Sequence, residues 1–78
     1  MKIELRYCSN WNYEPQAVSL TAKIVERFKM QISEFKLIPS SGGCFELTVE
    51  GNLIYSKLSE GKFPEEKKLI EKLEVMFK

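Results

Sequence analysis

Two thiols, Cys8 and Cys44, carry most of the chemical promise of this sequence, because it contains no histidine. Without imidazole, histidine acid–base catalysis is ruled out, and so are most metal sites. A zinc site wants four N, S or O ligands, and two cysteines cannot supply them alone. No metal is therefore expected. What two cysteines can do is nucleophilic and redox chemistry. The thiolate is the reactive form, and a free cysteine titrates near ~8.5 unless a helix N-terminus or a cation lowers that value. Arg6 shares Cys8's side of the strand by parity and could supply positive charge. Gly42-Gly43 does not form a phosphate loop, since no Lys-Ser/Thr follows at the required spacing. In a reducing compartment such thiols are more often functional or simply buried than locked in a structural disulfide.

The composition narrows the remaining classes. At 78 residues the chain is expected to be one domain, 1–78. A domain of that size buries only about 60% of its unfolded surface, so its core must come from a few well-packed elements. Twelve basic and eleven acidic residues leave a net charge of +1, too neutral for a protein that binds nucleic acid by neutralising phosphates. No apolar run approaches the ~20 residues of a membrane span, and no secretory leader is visible. A cytoplasmic protein that binds neither nucleic acid nor membrane is the expectation.

Periodicity then shows which elements hold the thiols. Lys2 to Tyr7 alternates, with Ile3, Leu5 and Tyr7 on one face and Lys2, Glu4 and Arg6 on the other, and predicts a strand. Cys8 follows at its end, and Ser9-Asn10-Trp11-Asn12-Tyr13-Glu14 forms a polar and aromatic loop. Pro15 suits a first helical turn. Ala17, Leu20, Thr21, Ile24 and Phe28 then recur at helical spacing, with Val18 and Val25 widening the stripe, and the helix should end near Met30 or Gln31. Ser33 to Ile38 reads as a second strand, and Pro39 to Gly43 as a break. Cys44 to Glu50 and Leu53 to Ser56 form a hairpin about Gly51-Asn52. Phe63-Pro64-Glu65 opens a last helix lined by Leu69, Ile70, Leu73, Met76 and Phe77.

The order is β-α-β-β-β-α. The helix-linked strands should be parallel through a right-handed crossover. Because the strands alternate, one face of the sheet is covered and the other is not. The expected fold class is therefore α/β in the α+β two-layer sense, a four-stranded mixed sheet with both helices on one face.

A thiol between the first strand and first helix of such a chain resembles the thioredoxin-like fold. Tyr7-Cys8-Ser9-Asn10-Trp11-Asn12-Tyr13-Glu14-Pro15 is similar to the active-site loop of the selenoprotein W, T and H family, also called Rdx. In that family a Tyr-Cys-x-x-Sec or Tyr-Cys-x-x-Cys stretch is followed by an aromatic residue and a proline. Gly43-Cys44-Phe45-Glu46-Leu47, Gly51 to Lys57 and Gly61-Lys62-Phe63-Pro64-Glu65 resemble its strand start, hairpin and last helix entry. The resemblance implies thiol redox work through Cys8, with no resident cofactor and with glutathione or a thioredoxin-like or protein thiol as partner. Trp11 departs from the pattern, because it stands where the second redox residue would be.

The same resemblance makes the third strand antiparallel to the first. If Cys8 lies opposite Cys44, then Arg6 faces Glu46, Glu4 faces Thr48 and Lys2 faces Glu50, and the two charged pairs favour that register by ~0.2–1 kcal/mol each. Cys44 would then be the resolving thiol that Trp11 cannot be, with Cys8 open to solvent. The other reading is that both cysteines only fill space. The loop residues Ser9, Asn10, Trp11 and Tyr13 likewise admit two readings. They form a contact surface for a partner, which would suit a non-enzymatic interaction module binding through the Trp11/Tyr13 loop or through an open sheet edge, or Trp11 packs onto the sheet edge and shields Cys8.

Overall fold

The computed structural model describes residues 1–77; Lys78, last in the expected domain, lies outside them. Four strands form one mixed sheet in the order β2-β1-β3-β4: β1 (Lys2–Cys8), β2 (Glu34–Ser40), β3 (Phe45–Val49) and β4 (Asn52–Ser56). The strand β1 pairs in parallel with β2 and antiparallel with β3, which pairs antiparallel with β4. Among the described residues three α-helices accompany them: α1 (Glu14–Phe28), a short α2 (Lys57–Glu60) and α3 (Glu66–Met76).

The core joins α1 and α3 to one face of the sheet. Ala17, Leu20, Ile24 and Phe28 of α1 and Leu69 and Leu73 of α3 pack with Ile3, Leu5, Phe45, Leu47 and Val49. Fully burying such aliphatic and aromatic side chains contributes ~1.5–3 kcal/mol each, which is how so short a chain holds together. One flank of α1 is tied to α3 by polar contacts, Lys23 to Glu66 and Arg27 Nε to Glu74 Oε2 at 2.8 Å.

Several local expectations are corrected. The helix α1 starts one residue early and ends at Phe28, with a 3₁₀ turn over Lys29–Gln31. Strand β2 runs on through Pro39 and Ser40, because an edge strand can carry a residue that donates no hydrogen bond. The hairpin turns about Glu50-Gly51, both at positive φ (52° and 79°), as a two-residue primed turn requires, and Asn52 already pairs with Val49. In β4 the register slips so that Thr48 faces Leu53 and Leu47 faces Tyr55. The bulge leaves Ile54 over, and both Ile54 and Tyr55 pack against the core. Val18, Val25 and Met76 were expected to line the core but are exposed. For Val18 and Val25 the reason is position: they sit on the flank of α1 turned away from α3.

Candidate functional site

The β1–β3 register brings the two cysteines together. Tyr7 pairs with Phe45, Arg6 with Glu46 and Glu4 with Thr48, and at the next step Cys8 N–H donates to Cys44 O at 2.8 Å. At the other end Glu50 N–H donates to Lys2 O at 2.9 Å, which closes the expected ladder. Both thiols are free and both are buried, Cys8 with 0% of its surface exposed. The expectation that Cys8 opens to solvent is overturned. It lies at the sheet end, where the loop that follows turns back over it.

Backbone hydrogen bonds give that loop its shape. Ser9 N–H donates to Ser40 O at 2.9 Å, extending the parallel ladder one residue past Cys8. Asn12 N–H donates to Ser9 O and Tyr13 N–H to Cys8 O, each at 3.1 Å. The reversal requires Asn12 at φ 59°, in the left-handed region that asparagine tolerates better than most residues. The Ser9 hydroxyl donates to Glu14 Oε2 at 3.0 Å across the start of α1. Cys8 is thus returned to the first turn of α1, even though five residues separate them in the sequence.

Aromatic rings fix the loop from the other side. Trp11 meets Tyr13 edge-on at 6.1 Å between ring centroids, Tyr13 meets Phe63 at 4.7 Å, and Phe63 meets Phe45 at 5.2 Å. Such edge contacts contribute about 0.5–1.5 kcal/mol beyond the area they bury. Lys57 Nζ stands 5.3 Å from the centroids of both Tyr13 and Phe63. The Trp11 ring also lies on Gly43, where a Cβ would come within 2.7 Å of Cζ3. The bareness of Gly43 is therefore a seat for Trp11 beside Cys44, beyond any relief of a turn.

The sequence-derived site residues thus divide. Cys8 and Cys44 adjoin in the ladder, Ser9 and Tyr13 are half-buried and bonded into the loop, and Asn10 and Trp11 are exposed, Trp11 by 60%. The residues that sequence reasoning missed are Phe63, Lys57, Glu14 and Gly43. Phe63 did carry a signal, since it stands in the Gly-Lys-Phe-Pro segment, but nothing local told that it meets Tyr13. The Arg6–Glu46 pairing holds in the backbone only. The Glu46 carboxylate accepts instead from Lys57 N–H at 2.9 Å, Phe45 N–H at 3.1 Å and the Ser56 hydroxyl. Fixed backbone donors at the start of α2 outcompete a solvated guanidinium whose ordering would cost side-chain entropy. Likewise Glu50 Oε1 accepts from the Lys2 backbone N–H at 2.8 Å.

Among the described residues no group of three or more His, Cys, Asp or Glu could hold a metal ion, and no helix is long and apolar enough to cross a membrane. Among the described residues the one clear titration shift is that of Tyr55, whose phenol is pushed above its ordinary value by burial, then by Glu60 and Glu46. Its hydroxyl donates to Lys62 O at 2.6 Å, holding β4 to the segment that carries Phe63.

Comparison with known proteins places this geometry. The model of the Rdx family matches residues 2–75. Migration and invasion enhancer 1 of Bos taurus is 34% identical over 71 residues, which is 91% of this chain and 60% of that protein. The Mus musculus protein of the same name is 33% identical over 69 residues, covering 88% and 58%. The chain therefore spans less than two thirds of the length of these curated relatives. A selenoprotein W-related protein from Vibrio cholerae superposes with a TM-score of 0.83 at 31% identity, covering 92% of this chain and 94% of that one. A Bordetella parapertussis protein superposes with a TM-score of 0.91 at 24% identity, covering 97% and 96%, and bears on the fold alone. The fold is the thioredoxin-like one of selenoprotein W-like proteins.

Proposed function

Because this chain belongs to the Rdx family, we propose that it is a thiol-dependent redox protein acting through Cys8, with Cys44 as the resolving thiol. One observation supports the reading above others: Cys8 N–H donates to Cys44 O at 2.8 Å, so Cys8 at the end of β1 stands opposite Cys44 immediately before β3. Opposed residues in an antiparallel pair have Cα atoms ~4.5–5.5 Å apart, and a disulfide accepts 4.4–6.8 Å. The second redox position of the family motif is thereby moved from Trp11 to the adjacent strand.

The co-substrate is glutathione or a protein disulfide. The Cys8 thiolate attacks one sulfur of oxidised glutathione, forming a mixed disulfide and expelling one glutathione thiolate, which takes up the proton Cys8 gave up. The Cys44 thiolate then attacks the Cys8 sulfur, closes the internal disulfide and expels the second glutathione. Two thiols are oxidised and one disulfide is reduced. The protein supplies no resident cofactor. A reducing compartment such as the cytoplasm would keep both thiols free at rest. Since Cys8 is buried, the 9–12 turn must swing aside for the first step.

Mass spectrometry of the native protein in oxidised glutathione tests this. The expected product is the internal Cys8–Cys44 bond, and Cys44→Ser should stop at a glutathione adduct on Cys8. Thiols that stay unmodified in the native protein but react after denaturation would dismiss the proposal.

A second reading is supported by the exposure of Trp11 above buried thiols: a non-enzymatic interaction module that binds a partner through the Trp11/Tyr13 loop. It requires Cys8→Ser to leave partner capture intact while Trp11→Ala weakens it.

A further inference from the structure

The two flanks of α1 differ in a way the thiol site does not explain. The flank facing α3 carries Ser19, Lys23 and Arg27, all engaged by Glu66 or Glu74. The opposite flank carries Val18, Thr21, Ala22 and Val25 and no charge between Glu14 and Lys29. Val18 is 60% exposed and Val25 45%. The connection from β1 through α1 to β2 sets this bare flank on the side of the sheet where β2 is the edge. Leu37 of β2 is 42% exposed although it pairs with the fully buried Leu5. An uncharged helix flank and an unpaired strand edge therefore lie on the same side of the molecule. An edge strand with free backbone groups is a template for another strand, and contiguous exposed apolar surface marks an interaction site.

The sequence of β2 says which strand fits. Ser9 N–H donates to Ser40 O, so the even-numbered backbone groups of β2 turn toward β1. Those of Phe35, Leu37 and Pro39 face outward. A second β2 can pair antiparallel with this edge only by opposing odd residues to odd ones. If Phe35 faces its own copy, Glu34 faces Lys36 on both sides of the two-fold axis. A shift one way sets Glu34 against Glu34, and a shift the other way sets Lys36 against Lys36. One step further sets Phe35 against Pro39, which donates no hydrogen bond. Only the first register pairs opposite charges and keeps proline out of the short ladder, and opposed charges of one sign disfavour the others. The edge strand is thus complementary to itself.

We propose that this chain forms a two-fold symmetric homodimer through β2, centred on Phe35, which extends the sheet across the axis and brings together the bare flanks of α1. The isologous arrangement uses the same patch on both subunits. It is independent of the thiol chemistry and leaves the Cys8 loop free.

Sedimentation across protein concentrations from about 1 μM to about 1 mM, in reductant, tests the proposal. The wild type should show a reversible monomer–dimer equilibrium. Lys36→Glu should weaken association by about tenfold or more, since two attractive pairs become repulsive. The double swap Glu34→Lys with Lys36→Glu should restore it, because the same register again opposes unlike charges. Val25→Glu, on the exposed flank, should weaken association while circular dichroism shows the monomer fold retained. A wild type that stays monomeric throughout, association that disappears in reductant, or a double swap no better than Lys36→Glu would each overturn the proposal.

Discussion

Cys8 and Cys44 stand opposite each other at one end of the sheet, joined by a 2.8 Å hydrogen bond from Cys8 N–H to Cys44 O, and both side chains are buried. This juxtaposition makes an internal redox couple geometrically feasible. In the proposed thiol chemistry, that burial would make access to Cys8 the controlling step.

The first prediction concerns that access. Phe63 holds Tyr13 against the core, and Tyr13 holds Trp11. Phe63→Ala should cost roughly 2 kcal/mol, less than for a fully buried phenylalanine because Phe63 is half-buried. It should also raise the rate of Cys8 alkylation by more than the loss of global stability explains. Alkylation followed by peptide mass spectrometry, alongside a denaturant melt, separates the two effects. An alkylation rate that tracks global unfolding alone would mean the aromatic chain does not govern the loop.

Gly43 is the seat of Trp11, and the cost of filling it can be divided. Gly43→Ala should destabilise by about 1–3 kcal/mol, since the added methyl meets Trp11 Cζ3 at 2.7 Å. It also places a side chain at φ 74°, a backbone cost of about 1–2 kcal/mol. Trp11→Ala in the same chain should recover the steric part and leave the backbone part. A double-mutant cycle by denaturant unfolding would show a coupling between the two positions, and strict additivity would deny their contact.

Glu46 spends its carboxylate on the start of α2. Glu46→Ala leaves Lys57 N–H without its acceptor and the Ser56 hydroxyl without its partner. A loss of about 1.5–3 kcal/mol is expected, the range for hydrogen bonds to a charged group. Arg6→Ala should change stability by less than about 0.5 kcal/mol, as at an ordinary surface site. Comparable losses for the two variants would mean that the cross-strand charge pair is real after all.

Tyr55 gives the fold an alkaline limit. Its phenol titrates above the ordinary value of 10.0 when folded, because burial, Glu60 and Glu46 disfavour the phenolate. The unfolded chain therefore loses this proton first as pH rises. Stability from this group is complete below pH 10 and falls away as pH climbs through the folded value. Ionisation also removes the donor to Lys62 O. Melts at increasing pH should show the decline, and Tyr55→Phe should flatten it, at the cost of that hydrogen bond at neutral pH. An unchanged alkaline slope in the variant would assign the limit to other groups.

Much of the fold was legible because alternation and helical spacing are local signals. Strand β1, both long helices and the hairpin follow from where apolar residues recur. The β1–β3 register was favoured rather than fixed in the sequence, by alternation and by two opposed charge pairs once the resemblance made the strands antiparallel. The structure keeps that register although Arg6 and Glu46 meet in the backbone only. Pro39 shows the limit of that reasoning: a proline ends a strand in the sequence, yet at a sheet edge the strand simply continues. Glu50-Gly51 shows another, because the turn lay one residue earlier than the Gly-Asn pair suggested.

What the sequence determined by itself is the order of elements and the absence of histidine chemistry, both consequences of residue type and short-range period. The placing of Cys8 opposite Cys44, by contrast, was an expectation that rested on the family resemblance. What only the tertiary structure decided is that Cys8 is closed off, that Trp11 rests on Gly43, and that Phe63 reaches back to Tyr13 from the far end of the chain. Those are contacts between segments distant in sequence. Their geometry depends on how the sheet end, the loop and the entry to α3 share one small volume, and no local pattern encodes that packing.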